Sequence, residues 1–535
     1  MPTATLFNYT FQLTQPNPDA HVPPTIRKVV IVGGGSAGWM AAMMLADALL
    51  TKGIEIEVLE SPIVGIIGVG EGSTPWLRGF FDKLGIEERE WMPACHATYK
   101  CGITFDKWST KPGFESYFHP FASMLDNLTM TQFVHNAVAR QNGADVHAHP
   151  DEFFIATRLA RQCKAPKPSE AFPFDVWYGY HFDAVLLGQF LGRKAMERGV
   201  KYRSCHIAKV NQDERGDIAS VTTGDGEAIA ADFWVDCTGF AAVLIQKTLA
   251  TPFVSFAENL FNDAAVALPT PIEARIPSET VSTAMKAGWA WKIPLTNRYG
   301  NGYVYSSSFL SADQAERELR EHLGLLDDAT EARHLKMRIG RVTQHWNRNC
   351  LAVGLSQGFI EPLEATALLF IQRTAQAFVD LLEAGDLGDG ARERYNAQIN
   401  AHFEGTRDYI VTHFKTNSRD DTEYWRANAA NMNLSEPLKR LYALWMSGQR
   451  LAPEIRRGAI GHGYPTFSWY CIMAGMGIFP DREQLRAPSA DEARYDMSEI
   501  DDLLTRSARN FPDQRETLAA IPPRRQGKAL QIYLW

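Results

Sequence analysis

Three groups of residues have the types and spacing to do chemistry. The first is Gly33-x-Gly35-x-x-Gly38, with Ser36 and Ala37 inside the turn. Glycines let such a turn tighten and let a pyrophosphate approach the backbone N–H groups of a helix start. Glu60 closes the next strand, where a carboxylate accepts hydrogen bonds from an adenosine ribose. The same turn also spells Gly34-x-Ser36-x-Gly38, the nucleophile-elbow pattern of hydrolases. That fold needs strands and an oxyanion loop ahead of its elbow, and only 28 residues precede this strand. Nucleotide binding is the stronger reading.

The second group lies between Gly354 and Leu369. Pro362 and Glu364 stand where a loop enters a helix read to begin near Ala365, and the free N–H groups of such a start bind anions. A halide, a substrate carboxylate or a flavin oxygen would sit against the amides of Thr366 and Ala367. From position alone, Glu364 is a helix-start acid favoured by the dipole. The third group is scattered. Lys100 alternates with Tyr99, Cys101, Ile103 and Phe105, read as one strand face, so by itself it is a solvated lysine. His119, between Phe118 and Phe121, reads as a packed histidine, and the Trp289/Trp291/Ile293 face reads as core.

The elements that must position these groups can be read from periodicity. Val29 to Val32 is a buried strand, Ser36 to Leu50 an apolar helix closed by Gly53, and Ile54 to Glu60 an alternating strand, together a βαβ unit. Phe233 to Gly239, which carries Asp236, and Cys350 to Val353, followed by Gly354 and a long helix up to Gly385, extend the same module across long insertions. Trp289–Pro294 and Tyr303–Phe309 predict an antiparallel hairpin turning through Asn297 to Gly302. Residues 1–25 read as a flexible tail and 26–385 as a discontinuous nucleotide-binding module. A mixed-sheet substrate part is inserted around 265–335, and 386–535 form a helical part that completes the substrate site.

Composition narrows the class. With 54 basic and 62 acidic residues, a net charge of −8 and no basic block, nucleic acid is not an expected partner. Seven scattered cysteines without a CxxC pair point to no disulfide framework and no zinc site, which fits a reducing cytoplasm. Val29 to Ala46 is uncharged over 18 residues, but its glycines mark strand, turn and helix rather than a membrane span.

Taken together, Gly33-Gly-Gly-Ser-Ala-Gly-Trp39, Gly68-Val-Gly-Glu-Gly-Ser-Thr-Pro75, Val235-Asp-Cys-Thr-Gly-Phe240, Gly288-Trp-Ala-Trp-Lys-Ile-Pro294 and Phe359-Ile-Glu-Pro-Leu-Glu364 resemble, in order and spacing, the flavin-dependent tryptophan halogenase family. The resemblance implies an α/β fold: an FAD-binding Rossmann-like module of the flavin hydroxylase type, with a mixed β-sheet and a helical C-terminal substrate part. It implies FAD, used as FADH2 from a separate flavin reductase, and chloride or bromide oxidised to hypohalous acid that reacts at a second site. Gly33, Gly35, Ser36, Ala37, Gly38, Glu60, Asp236 and Gly354 would bind FAD, and Thr366 and Ala367 the halide. Lys100 would hold or activate the halogen, and Glu364 would stabilise the cationic arene and assist proton loss. His119, Phe121 and Tyr464 would hold the planar substrate, with Trp469 near enough to replace Tyr464.

Three departures from the family pattern bear on activity. Ala365 replaces a serine, Ala367 replaces a glycine at the halide turn, and the tyrosine-rich acidic segment that clasps tryptophan is not found in Leu451 to Gly463. The expectation is halogenation of indole or an indole derivative rather than free tryptophan, with bromide as the hypothesised preferred halide. An FAD-dependent aromatic monooxygenase and a catalytically silent flavin-binding protein are the alternatives, and a homodimer is left open.

Overall fold

The computed structural model describes residues 26–64, 70–169, 171–458 and 463–521. The expected tail, Gly68 and Val69 of the second motif, and residues 459–462 lie outside that set.

The β-branched run of strand Lys28–Val32 is buried on both faces, as a central parallel strand requires. It pairs in parallel with Glu55–Glu60 on one side and Phe233–Asp236 on the other. Cys350–Ala352 and Lys201–Ser204 extend the sheet in parallel, and Trp346–Asn347 adds an antiparallel edge. The alternation in Glu55–Glu60 does not mean a wet face. Glu57 is also buried, with its carboxylate 2.7 Å from Lys28 Nζ and 3.1 Å from Arg203 Nε. Helix Ser36–Leu49 follows the first strand and tightens through Leu50–Lys52 into Gly53, whose φ of 78° closes the turn. Ser36 donates its hydroxyl to the Ala184 carbonyl at 3.0 Å, so the elbow pattern is filled by a structural serine.

The second sheet has seven strands, in the order Arg333–Lys336, Ala264–Pro271, Arg298–Tyr305, Gly288–Pro294, Glu279–Met285, Gly102–Asp106 and Ser116–Pro120. All pairs are antiparallel except Glu279–Met285 with Gly102–Asp106. The predicted hairpin exists, but its turn is shorter than expected, because Arg298 to Gly302 belong to the strand. The glycines there serve packing. A Cβ on Gly302 would overlap the Trp291 ring, and one on Gly300 would come within 3.1 Å of the Gly70 Cα. Ser306 to Phe309 form a turn beyond the strand.

Two further expectations are corrected. Tyr99 to Phe105 is not one strand: Thr98–Lys100 belongs to a three-stranded sheet with Gly179–Asp183 and Gly70–Gly72, and Gly102–Asp106 to the seven-stranded one. Between them Cys101 N donates to the Ser278 carbonyl at 2.7 Å. The helix after Glu364 begins at Ala367 rather than near Ala365, because Ala365 sits in the left-handed region with φ 55°. Beyond Gly385 the long elements are helices, led by the 27-residue helix Asp389–Lys415, which packs against the edge strand Trp346–Asn347 and against the helices Ala367–Ala384, Glu423–Ala430 and Thr466–Gly475. No described helix is long and apolar enough to cross a membrane.

Gly38 sits where a Cβ would overlap the Gly33 carbonyl oxygen, whereas a Cβ on Gly35 would meet nothing within 4 Å. Gly38→Ala should therefore destabilise the fold by about 1–3 kcal/mol through overpacking, read as a lowered melting temperature. Gly35→Ala should melt with the native protein, and equal melting of both variants would contradict the assignment.

Candidate active site

The C-terminal ends of the central parallel strands form the first part of the site. Gly33, Gly35, Ser36, Ala37 and Gly38 wrap the start of helix Ser36–Leu49, which has no side-chain cap and no acid in its first turn. Its leading N–H groups are free for an anion. Gly354, at φ 73°, lies over the same start, with the place of its absent Cβ 2.6 Å from Ala37 Cβ. Glu60 packs across Gly34, half-buried, and burial raises its carboxyl from the usual range. Asp236 is deeply buried and turned inward. Its carboxylate accepts from Thr238 N and Oγ1 and from the amides of Leu244 and Ile245, so it shapes the turn after its strand and does not face the cradle. Open space over Gly35 and an uncapped helix start fit the pyrophosphate of a dinucleotide.

Lys100, expected in solvent if read alone, is 0% exposed, and its Nζ has no hydrogen-bond partner among the described residues. Its strand is held by pairing: Thr98, Tyr99 and Lys100 oppose His181, Tyr180 and Gly179. The hydroxyls of Tyr99, Tyr178 and Tyr180 all donate to Glu88, at 2.9, 2.7 and 2.8 Å. Gly72 makes room for the amine, since a Cβ there would lie 3.1 Å from Nζ. Burial pulls the Lys100 ammonium down to about 7, partly opposed by Glu364. The ammonium also lies 5.5 Å from the centre of the Phe121 ring.

Glu364, 4% exposed, ends the short turn Pro362–Glu364. Its Oε2 is 4.0 Å from His119 Nδ1 and its Oε1 is 3.0 Å from His413 Nε2. Burial favours the neutral acid, but His119, His413 and Lys100 outweigh it and hold the carboxyl below its ordinary range. The helix that follows has no side-chain cap and no acid in its first turn, so the amides around Thr366 and Ala367 are available to an anion. The turn itself is anchored from the hairpin. Trp289 Nε1 donates to Glu361 at 2.7 Å and Asn262 at 2.8 Å, and burial pushes the Glu361 carboxyl up to about 7 despite them.

The aromatic wall differs from expectation. The rings of His119 and Phe467 are nearly parallel, at 14°, with centroids 6.4 Å apart. Tyr464 instead stacks on Tyr409 at 3.6 Å, which covers one of its faces, and Trp469 is fully buried edge-on to Tyr409. Sequence reasoning passed over Phe467, Tyr409, His413, His181 and Glu361. The signal for Glu361 was present in the motif Phe359-Ile-Glu-Pro-Leu-Glu364. The others lie in segments whose approach only the tertiary fold reveals. No cluster of three metal-binding side chains occurs among the described residues.

This architecture is that of the FAD-binding Rossmann-like class. The sequence matches the tryptophan halogenase family over residues 28–492. It is 37% identical to the tryptophan 6-halogenase SttH of Streptomyces toxytricini, over 93% of this chain and 98% of that one. It is 33% identical to the tryptophan 7-halogenase RebH of Lentzea aerocolonigenes, over 89% and 94%. Among solved structures, BrvH, a flavin-dependent halogenase from Brevundimonas sp. BAL3, superposes with a TM-score of 0.79 at 32% identity, covering 93% of this chain and 100% of that one. The chain belongs to the tryptophan halogenase family, flavin-dependent enzymes that take FADH2 from a separate reductase.

Two outcomes follow from the geometry. Gly35→Ala should weaken FAD binding at least about tenfold while preserving stability, because its methyl would enter the space over the helix start; unchanged FAD affinity by fluorescence titration would refute the cradle. Lys100→Met should stabilise the protein most below pH about 7, where the folded chain must bury the ammonium. Between 7 and the ordinary lysine range the unfolded chain binds the extra proton, so native stability rises with pH and the variant's advantage shrinks. Melting temperatures of both proteins at pH 6 and 9 test this, and a constant difference would count against it.

Proposed function

We propose that the enzyme uses FADH2, oxygen and chloride or bromide to halogenate an electron-rich arene, indole or an indole derivative rather than free tryptophan. The observation that carries this reading is the buried grouping of Lys100 and Glu364 beside His119 and Phe121. Reduced FAD, when bound, supplies with oxygen the oxidising equivalent that converts halide into hypohalous acid. Gly33, Gly35, Gly38 and Gly354 would hold it at the uncapped helix start, and the amides of Thr366 and Ala367 would hold the halide. Lys100 donates a hydrogen bond to hypohalous acid, or carries the halogen as a haloamine, from a fully buried position. Glu364 stabilises the cationic ring and accepts its proton. The near-parallel rings of His119 and Phe467, with Phe121, orient a planar guest.

The substrate preference rests on the segment where a tryptophan clasp would lie. Glu454, the one acid between Leu451 and Gly458, is 2.6 Å from both Arg440 and Arg457, so it is not free to hold an ammonium group. The seven cysteines are free thiols, in keeping with a reducing cytoplasm.

The test is incubation with FAD, a flavin reductase, NADH, indole and equal chloride and bromide, with products read by mass spectrometry. Monohalogenated indole is expected, with bromide in excess, and Lys100→Ala should lower turnover at least about a hundredfold. Tryptophan should be turned over at least about tenfold less efficiently than indole. Equal use of tryptophan and indole would overturn the substrate assignment, predominant chlorination the halide preference, and a hydroxylated product the halogenase reading.

A further inference from the structure

His413 lies on helix Asp389–Lys415, completely buried, and nothing in the proposed chemistry yet uses it. Its ring nonetheless fixes a proton count. Nδ1 is 3.1 Å from the carbonyl oxygen of Tyr409, which can only accept, so Nδ1 carries a hydrogen. Nε2 lies 3.0 Å from Glu364 Oε1, an ion-pair distance, and neither atom is aligned for a hydrogen bond with any described residue. A bare nitrogen lone pair pressed against a carboxylate oxygen, away from water, would set acceptor against acceptor at the cost of an unsatisfied buried charge. A second proton on the ring would turn the same approach into an ion pair.

His119 makes a looser approach. The Tyr409 hydroxyl donates to the Ser468 carbonyl at 3.3 Å and so accepts from His119 Nε2 at 2.9 Å, while His119 Nδ1 stands 4.0 Å from Glu364 Oε2, beyond hydrogen-bond reach. Burial lowers the His119 imidazolium from its ordinary range, partly opposed by Glu364.

We propose that His413 and Glu364 hold one proton between them in the resting enzyme, and that His413 is the positioning residue that makes Glu364 a base. The imidazolium occupies Oε1 and leaves Oε2, on the His119 side, with free lone pairs. When the substituted arene rearomatises, its ring C–H bond breaks, the electron pair returns to the ring and the proton bonds to Oε2. Transfer of halogen from hypohalous acid releases hydroxide, which takes one of the pair's two protons and leaves as water. The pair returns to one proton.

The other titratable groups packed on the pair are Lys100, His119, Tyr117, Tyr409, Tyr464 and Cys471. Burial drives the three phenols and the thiol well above their ordinary ranges, so they stay neutral. Outside the pair, His119 and Lys100 are thus the groups whose cationic forms answer the carboxylate.

The role assigned to Glu364 rests on the halogenase reading, whereas the shared proton does not. Nitrogen NMR of the full chain labelled with 15N-histidine should show, at pH 7 to 8, one ring protonated on both nitrogens. That signal should vanish in His413→Asn and become a neutral ring in Glu364→Gln. A neutral ring in the native protein, or a doubly protonated ring that survives both variants, would overturn the proposal. The Glu364→Gln arm decides the matter even if His413→Asn fails to fold. In indole turnover, His413→Asn should lower kcat at least about tenfold, leave KM within about twofold, and displace the acidic limb of the kcat–pH profile. An unchanged kcat and profile would dismiss the positioning role. A native enzyme that makes no halogenated product would instead discard the halogenase reading, and the NMR result would stand.

Discussion

An amine and a carboxylate enclosed in the same dry interior make every neighbouring proton a structural matter. Lys100 and Glu364 sit where each charge costs far more than at a surface, so the surroundings must balance them by partners, by neutral forms or by distance. The protein uses all three. Lys100 is eased toward its neutral form by burial, Glu364 is kept ionised by the rings around it, and His181 is held far below its ordinary range by burial and by Lys100. The Thr98 hydroxyl, which donates to the Pro294 carbonyl at 2.7 Å, accepts from His181 Nδ1 and so fixes that ring's tautomer. A polar residue added anywhere in this shell would have to join the same balance.

That constraint explains why the sheets meet as they do. The small sheet bearing Lys100 touches the seven-stranded one where Gly70 and Gly300 come close, and Gly72 leaves the volume the amine occupies. The turn bearing Glu364 is fixed from outside by Trp289 and Asn262 through Glu361. Gly354 at the nucleotide cradle and Glu364 at the amine are only ten residues apart, and Ser356 donates to the carbonyls of Val353 and Asp236 between them. One short stretch of chain therefore sets the spacing between two chemically different halves.

Much of this was legible in the sequence where the constraint is local. A β-branched run, a glycine turn and an apolar helix demand one another within thirty residues, so the nucleotide turn could be read directly. The burial of Lys100 could not, because it depends on Gly72, Gly179 and Glu88, none of which adjoins it in sequence. Gly300 and Gly302 read as turn residues, whereas in the fold they lie in the strand and make room for Gly70 and Trp291. The helix after Glu364 starts late because Ala365 adopts a conformation that alanine rarely takes, imposed by the turn before it. The family resemblance points to Tyr464 for the substrate wall. Its place against Tyr409 leaves Phe467 as the ring that faces His119.

The arginines around Glu454 carry a wider implication. The strands and turns that carry Lys100 and Glu364 belong to the family fold, while residues 452–456 form a short helix, Ala452–Arg456, held by surface ion pairs. Ion pairs of that kind contribute little to stability, about 0–1 kcal/mol each. Substitutions along such a strip can therefore accumulate at little cost to folding, whereas any change beside Lys100 or Glu364 disturbs a buried charge.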